Sequence, residues 1–277
     1  GFTFNTVVLS AGANMSGANT FATLTVDISA GPSKTLNWLL SSNITVTGTL
    51  TINGNSATNR LLVRAFTPGS AITITAATVS ASYVDFMDIT GAGAASWNLS
   101  AITGGAGNAG GNTGITFTTP VNRYWVATSG GSWSATSSWS TSSGGASGAS
   151  VPLCHDAVFL DANSITSGGR TITADMPRLG ANINCTGLLN SPAFSITAGS
   201  SGASCYGSFT FASGMTTTST TNPLLLAGRG SYTLTTASVT INFPVQLLCS
   251  VGGTYTLQDN LTLLSSRSLS IFDGIFD

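Results

Sequence analysis

Charge is what this chain lacks, and that lack argues against helices. Its 277 residues hold nine Asp, seven Arg, one Lys and no Glu. An ordinary domain carries roughly a quarter charged residues, and surface helices draw on Glu and Lys because both favour the helix and pair at i,i+4. Ser, Thr, Asn and Gly stand in their place here, so the surface must be wetted by hydroxyls, amides and backbone. Strands accept that composition, and the expected class is all-β.

Alternation of apolar and hydroxyl residues supports the same class. Ile44-Thr45-Val46-Thr47, then Gly48, then Thr49-Leu50-Thr51-Ile52 and the turn pair Asn53-Gly54 put the two residue types on opposite faces of a strand. Runs with the same grammar span 21–28, 60–65, 71–75, 79–89, 171–173, 194–197, 231–243 and 254–264. Sandwiches also use short strands at close spacing, but they guard their edge strands with charge, Lys above all. With Lys34 the one lysine, a parallel β-helix or solenoid is favoured, because each coil pairs with the next and edges remain only at the ends. A β-sandwich is the alternative.

Two modules are expected. Gly1-Phe2-Thr3-Phe4 is echoed by Gly114-Ile115-Thr116-Phe117 after a Gly-rich stretch from Gly104. The modules would run 1–113 and 114–277, the second opening with a Trp/Ser/Gly-rich loop at about 122–152. A chain that starts at Gly1 and stops in mid-pattern at Asp277 reads as a segment of a larger protein, its second module truncated.

Composition also removes functions. At 42 % hydrophobic and net charge -1, the chain is not disordered. The arginines are scattered, so the phosphate-neutralising stripe of a nucleic-acid binder is absent. No apolar run reaches the length of a membrane span, and no signal peptide opens the chain. Cys154, Cys185, Cys205 and Cys249 lack CxxC spacing and read as buried free thiols. The 20 residues between Cys185 and Cys205 would suit stacking on adjacent coils.

The segments Asn122-Arg123-Tyr124-Trp125-Val126, Gly131-Ser132-Trp133-Ser134, Ser138-Trp139-Ser140, Ser143-Gly144-Gly145-Ala146, Val151-Pro152, Asp156-Ala157-Val158-Phe159 and Asp161-Ala162-Asn163-Ser164 together resemble a module of large virion proteins of tailed bacteriophages and related bacterial surface proteins. The stretch 79–89, then Trp97, Gly111-Asn112-Thr113-Gly114 and Phe117, is similar to the end of a preceding copy. The resemblance implies a right-handed parallel β-helix in a tail fibre, tail tip or other appendage. Cys154-His155 departs from the small polar residues such a loop would carry.

Candidate sites are few. Tyr124, Trp125, Trp133 and Trp139 would either plug an apolar end with their rings or present a sugar-stacking platform. Paired carboxylates for glycan cleavage need suitable spacing, and Asp85 and Asp88, like Asp156 and Asp161, differ by an odd number and would face opposite ways on a regular strand. Cross-coil pairs involving Asp175, Asp259 or Asp273 are not selected by any motif, so no catalytic residue is assigned. His155 is the one histidine, without a GxSxG elbow or two further zinc ligands at short spacing. Asp156, Asp161 and Asn163 offer oxygen atoms for Ca²⁺, but their spacing matches no EF-hand, and turn formation is the simpler role. No cofactor is expected.

The functional expectation is a structural virion segment, in a tail fibre or tail-tip appendage, used in host attachment or particle assembly. Its partners would be itself as a homotrimer, other virion proteins and host surface glycan, in an extracellular or virion setting. A tailspike-like polysaccharide depolymerase and a secreted bacterial adhesin or filament subunit are the alternatives.

Overall fold

The computed structural model describes residues 1–277 other than Pro32, Ser33, Thr35, Ser219 and Val251. Among the described residues the protein is nearly all β without an α-helix, its one helical turn being the 3-10 segment Thr136–Ser138. It divides into two compact units, Gly1–Thr119 and Pro120–Asp277.

The first unit is built from β1 (Thr3–Leu9), β2 (Ala13–Met15), β3 (Thr20–Asp27), β4 (Asn37–Leu40), β5 (Ile44–Asn53), β6 (Leu61–Ala65), β7 (Ile72–Ser82), β8 (Val84–Met87), β9 (Ile89–Ala92) and β10 (Ala106–Asn108). Odd strands form one parallel sheet in the order β1-β3-β5-β7-β9, and even strands form another, β2-β4-β6-β8-β10. Successive strands therefore alternate between sheets. Parallel pairing in register stacks like on like: Val7, Leu24, Leu50 and Val79 form one column, and Leu9, Val26, Ile52 and Ala81 the next. Leu24, Val26, Leu50 and Ile52 are fully buried with Trp38, Val63 and Phe86 from the other sheet. Each such side chain contributes about 1.5–3 kcal/mol through burial.

Strand boundaries differ from the sequence reading at several places: the runs 231–243 and 254–264 are each split in two, Ser231–Thr235 with Thr240–Ile241 and Thr254–Leu257 with Thr262–Leu263. No break separates 75 from 79, because β7 runs through both, whereas 79–89 is broken twice by Tyr83 (φ 47°) and Asp88 (φ 57°). These left-handed residues turn the chain from one strand to the next, a conformation costly for a non-glycine and held here by neighbouring structure. Gly54 is required by packing rather than by a hairpin: an added Cβ would collide with the Tyr83 carbonyl oxygen of the following coil. The stretch 114–117 belongs to the end of the first unit, where Thr116 N–H reaches Trp97 O at 2.9 Å and Leu99 N–H reaches Thr116 O at 2.8 Å. It is not structurally equivalent to β1.

A buried ion pair ties together the chain next to β6, β8 and β10, three neighbouring strands of one sheet. Arg60 Nε donates to Asp85 Oδ1 at 2.8 Å, and the same guanidinium donates to the carbonyls of Val84, Gly104 and Gly105. Both side chains are nearly inaccessible to solvent. Arginine's planar fork supplies the several donors this position uses.

In the second unit, from Ala157 onward, the chain visits three parallel sheets in a fixed order. One sheet contains Ala157–Phe159, Ile183–Asn184, Phe209–Thr210, Ser231–Thr235, Thr254–Leu257 and Ile275–Phe276; the next contains Gly131–Ser132, Thr171–Ala174, Ala193–Ile196 and Thr216–Thr217. The third contains Arg178–Gly180, Ala203–Cys205, Leu224–Leu226, Val245–Leu248 and Leu269–Asp273. A two-stranded ladder, Thr240–Ile241 with Thr262–Leu263, occupies the second place in the later coils. Asn122–Trp125 joins the first sheet and also pairs with Trp139–Ser140, the one antiparallel contact among the described strand pairs.

Replacing Arg60 with Ala leaves the Asp85 carboxylate buried without its cation and is expected to cost about 3–5 kcal/mol, whereas Arg60→Met combined with Asp85→Leu recovers only part of that loss, because the carbonyls of Val84, Gly104 and Gly105 still lose their donor. Guanidinium denaturation of the full chain and its variants measures both effects.

Candidate functional site

The sequence candidates fall into two groups that the fold treats differently. Trp125, Trp133 and Trp139 are fully buried. Their rings meet edge to face or tilted, with centroids 4.9 Å apart for Trp133 and Trp139, 5.2 Å for Trp125 and Trp139, and 5.9 Å for Trp125 and Trp133. The cluster continues into the core through Trp133 and Phe194, then Phe209, Phe211 and Phe243. Each indole N–H is satisfied within the protein: Trp125 donates to Ala127 O, Trp133 to Leu179 O and Trp139 to Trp133 O. The sugar-platform expectation is therefore corrected for all three, since a ring with no exposed face has nothing to stack on a sugar. Burying these rings releases more apolar area from water than holding them out in a Ser/Gly-rich loop.

Tyr124 is half-buried and stacks on Phe159 of the adjacent strand, centroids 5.0 Å apart at 19°. Phe159 was missed by the sequence reading; what reveals it is the pairing of Tyr124 with Phe159 in the parallel ladder. One face of the Tyr124 ring is thus occupied. Arg123 anchors the returning loop by donating to Ser150 O at 2.8 Å and Ser150 Oγ at 2.6 Å.

The carboxylates serve as clasps for backbone and neighbouring side chains. Asp156 is buried and accepts the N–H groups of Val121 at 2.9 Å and Leu153 at 2.8 Å. Asp161 accepts Asn163 N–H, and Asn163 Nδ2 donates to Ser143 Oγ. Asp156 is thereby held apart from the turn that contains Asp161 and Asn163, and no group of three His, Cys, Asp or Glu suited to a metal occurs among the described residues. Asp88 accepts Gly69 N–H, Asp175 accepts both the N–H and the hydroxyl of Ser134, and Asp85 pairs with Arg60. His155 Nε2 lies 3.9 Å from Asp156 Oδ1, beyond hydrogen-bond range.

Asp259 shows the electrostatic sense of such a clasp. Burial raises its pKa, but hydrogen bonds from Thr236 N–H, Thr236 Oγ1 and Ala237 N–H outweigh that and hold it below the ordinary value of 3.8. Asp27 is also lowered, chiefly by its bonds with Ser29.

All four cysteines are buried and free. Cys185 and Cys205 do not stack. Cys185 N–H bonds Thr210 O in the first sheet of the unit, while Cys205 lies in the third sheet between Gly180 and Leu226. The two cysteines belong to different sheets, so the 20-residue spacing does not place them in one column. Burial pushes both thiols up to about 12.

Among the described residues no helix is long and apolar enough to cross a membrane. Comparison with known proteins finds no matching family model, no matching curated protein and no matching solved structure.

Two outcomes are expected. Because the folded pKa of Asp259 is depressed, its stabilisation is present above the unfolded value and disappears as pH falls through the folded one. The gap in denaturation midpoint between the native chain and Asp259→Asn should accordingly close as pH drops from about 5 towards about 2. At pH near 8, where a free thiol is partly ionised, a thiol-reactive dye should label none of the four cysteines in the folded protein and all of them in guanidinium.

Proposed function

We propose that the chain is a structural segment of a bacteriophage appendage, a tail fibre or tail tip, in which each unit is a β-solenoid acting as a stiff spacer. The observation carrying this reading is the fixed order in which the second unit visits its three parallel sheets, which a coiled chain accounts for directly. The alternating two-sheet order of the first unit supports it too. Side chains that would serve chemistry are committed instead to holding backbone: Asp88, Asp156, Asp175 and Asp259 each accept a backbone N–H. That favours scaffold over depolymerase. The resemblance of 79–164 to phage virion modules supplies the setting, with a homotrimer and neighbouring virion proteins as partners. Host glycan contact would rest on Tyr124 and on outward hydroxyls and amides.

Immunogold labelling with antibodies raised against the chain should decorate the tails of purified phage particles, and light scattering of the purified chain should return a trimer. Gold confined to filaments secreted by uninfected bacteria would transfer the assignment to an adhesin, and release of reducing ends from host polysaccharide would transfer it to an enzyme.

A further inference from the structure

We propose that the outward face of β3, β5 and β7 binds the surface of ice. Each of these strands carries an inward-facing or partly buried residue flanked by two outward hydroxyls: Thr23-Leu24-Thr25, Thr49-Leu50-Thr51 and Thr78-Val79-Ser80. Leu24 and Leu50 are fully buried, while the flanking hydroxyl residues are half-buried or exposed. Register aligns the triplets: Leu24 pairs with Leu50 and Leu50 with Val79, Thr25 with Thr51 and Thr51 with Ser80, and Thr49 with Thr78. The result is a three-strand column of hydroxyls, Thr25-Thr51-Ser80, beside the in-register pair Thr49 and Thr78, with neighbours about 4.8 Å apart across strands and the two rows about 6.6 Å apart along them. Thr6 and Thr23 form a further hydroxyl pair between β1 and β3, at the register irregularity that precedes Leu24.

The oxygens are ordered before any ligand arrives. Thr78 Oγ1 donates to Thr49 Oγ1 at 2.9 Å, and β-branching restricts χ1 at every Thr. Preorganisation of this kind reduces the entropy lost on binding. Strand bulges between Phe21 and Leu24, and between Val46 and Thr49, set this patch off from the earlier part of the same strands, since a bulge bends its strand and re-aims the side chains beyond it.

The chemistry of the face selects its ligand. Asp27, at the end of β3, is the one charged residue in the three strands, so an ionic polymer finds nothing to pair with. Phe21 is their one aromatic and is buried, so a sugar ring has nothing to stack on. What remains is a neutral grid repeating in two directions, with threonine methyls between the hydroxyls. Hexagonal ice repeats its oxygen atoms at spacings close to both of these steps. Dissolved sugars and peptides offer no such two-dimensional repeat.

The test is ice-recrystallisation inhibition and thermal hysteresis with the full chain, the double variant Thr25→Tyr/Thr51→Tyr, and the control Thr256→Tyr on an outward position of the second unit. The native chain and control should keep ice grains small and the double variant should lose that effect, with folding verified by circular dichroism. If the tyrosines prevent folding, Thr51→Lys sets a hydrated charge in the grid and should abolish the effect in a folded protein. Grains coarsening with the native chain as fast as in buffer, or a folded array variant as active as the native chain, would overturn the proposal.

Discussion

The structure rests on the in-register parallel backbone ladder, in which a residue's backbone meets that of its counterpart on the next strand of the same sheet. Side-chain bonds between neighbouring coils span 23 residues at Thr90 and Thr113, and 26 at Thr47 and Phe21 or Ser208 and Asn182. Such stacking explains the shortage of charge. Like charges in one column would sit about 4.8 Å apart and repel by about 3–4 kcal/mol at an effective dielectric of about 20. Hydroxyls and amides can instead chain along the column. At the ends of β3, β5 and β7, Asn53 Nδ2 donates to Asp27 Oδ2 at 3.2 Å, and Ser82 Oγ donates to Asn53 Oδ1 at 3.0 Å. The carboxylate is followed by an amide and a hydroxyl, never by a second carboxylate.

The same ladder reassigns the chemically versatile residues. Asp and Asn side chains satisfy backbone groups at the corners where sheets end: Asn19 accepts Phe2 N–H, Asn112 accepts Ile89 N–H and Asn182 accepts Ser208 N–H. A buried backbone N–H left without a partner costs about 1–3 kcal/mol, so each corner gains by holding such a side chain in place. Acids occupied in this way are poor candidates for moving protons.

Alternation made the strands at 44–53, 171–174 and 193–196 legible, because one face of each is buried and periodicity records that directly. The breaks at Tyr83 and Asp88 were not legible, since neither residue type announces a left-handed conformation and the reason lies in the next coil. Arg60 and Asp85 are 25 residues apart in the chain and become neighbours through the register of β6 with β8. The aromatics at 125, 133 and 139 were visible as a group, but whether they faced solvent or core depended on the antiparallel return of Trp139–Ser140. Spacing within a loop does not encode such a return.

That return has a consequence for folding. A chain whose parallel strands carry similar residues risks sliding by a whole strand and pairing each strand with the wrong neighbour. Columns of Thr, Leu and Val tolerate such a slip because their side chains are interchangeable. The three indoles pack edge to face or tilted on one another, and Trp133 is bound to Leu179 O and packed on Phe194. They break the degeneracy at one place, from which parallel pairing can set the register of the strands that follow.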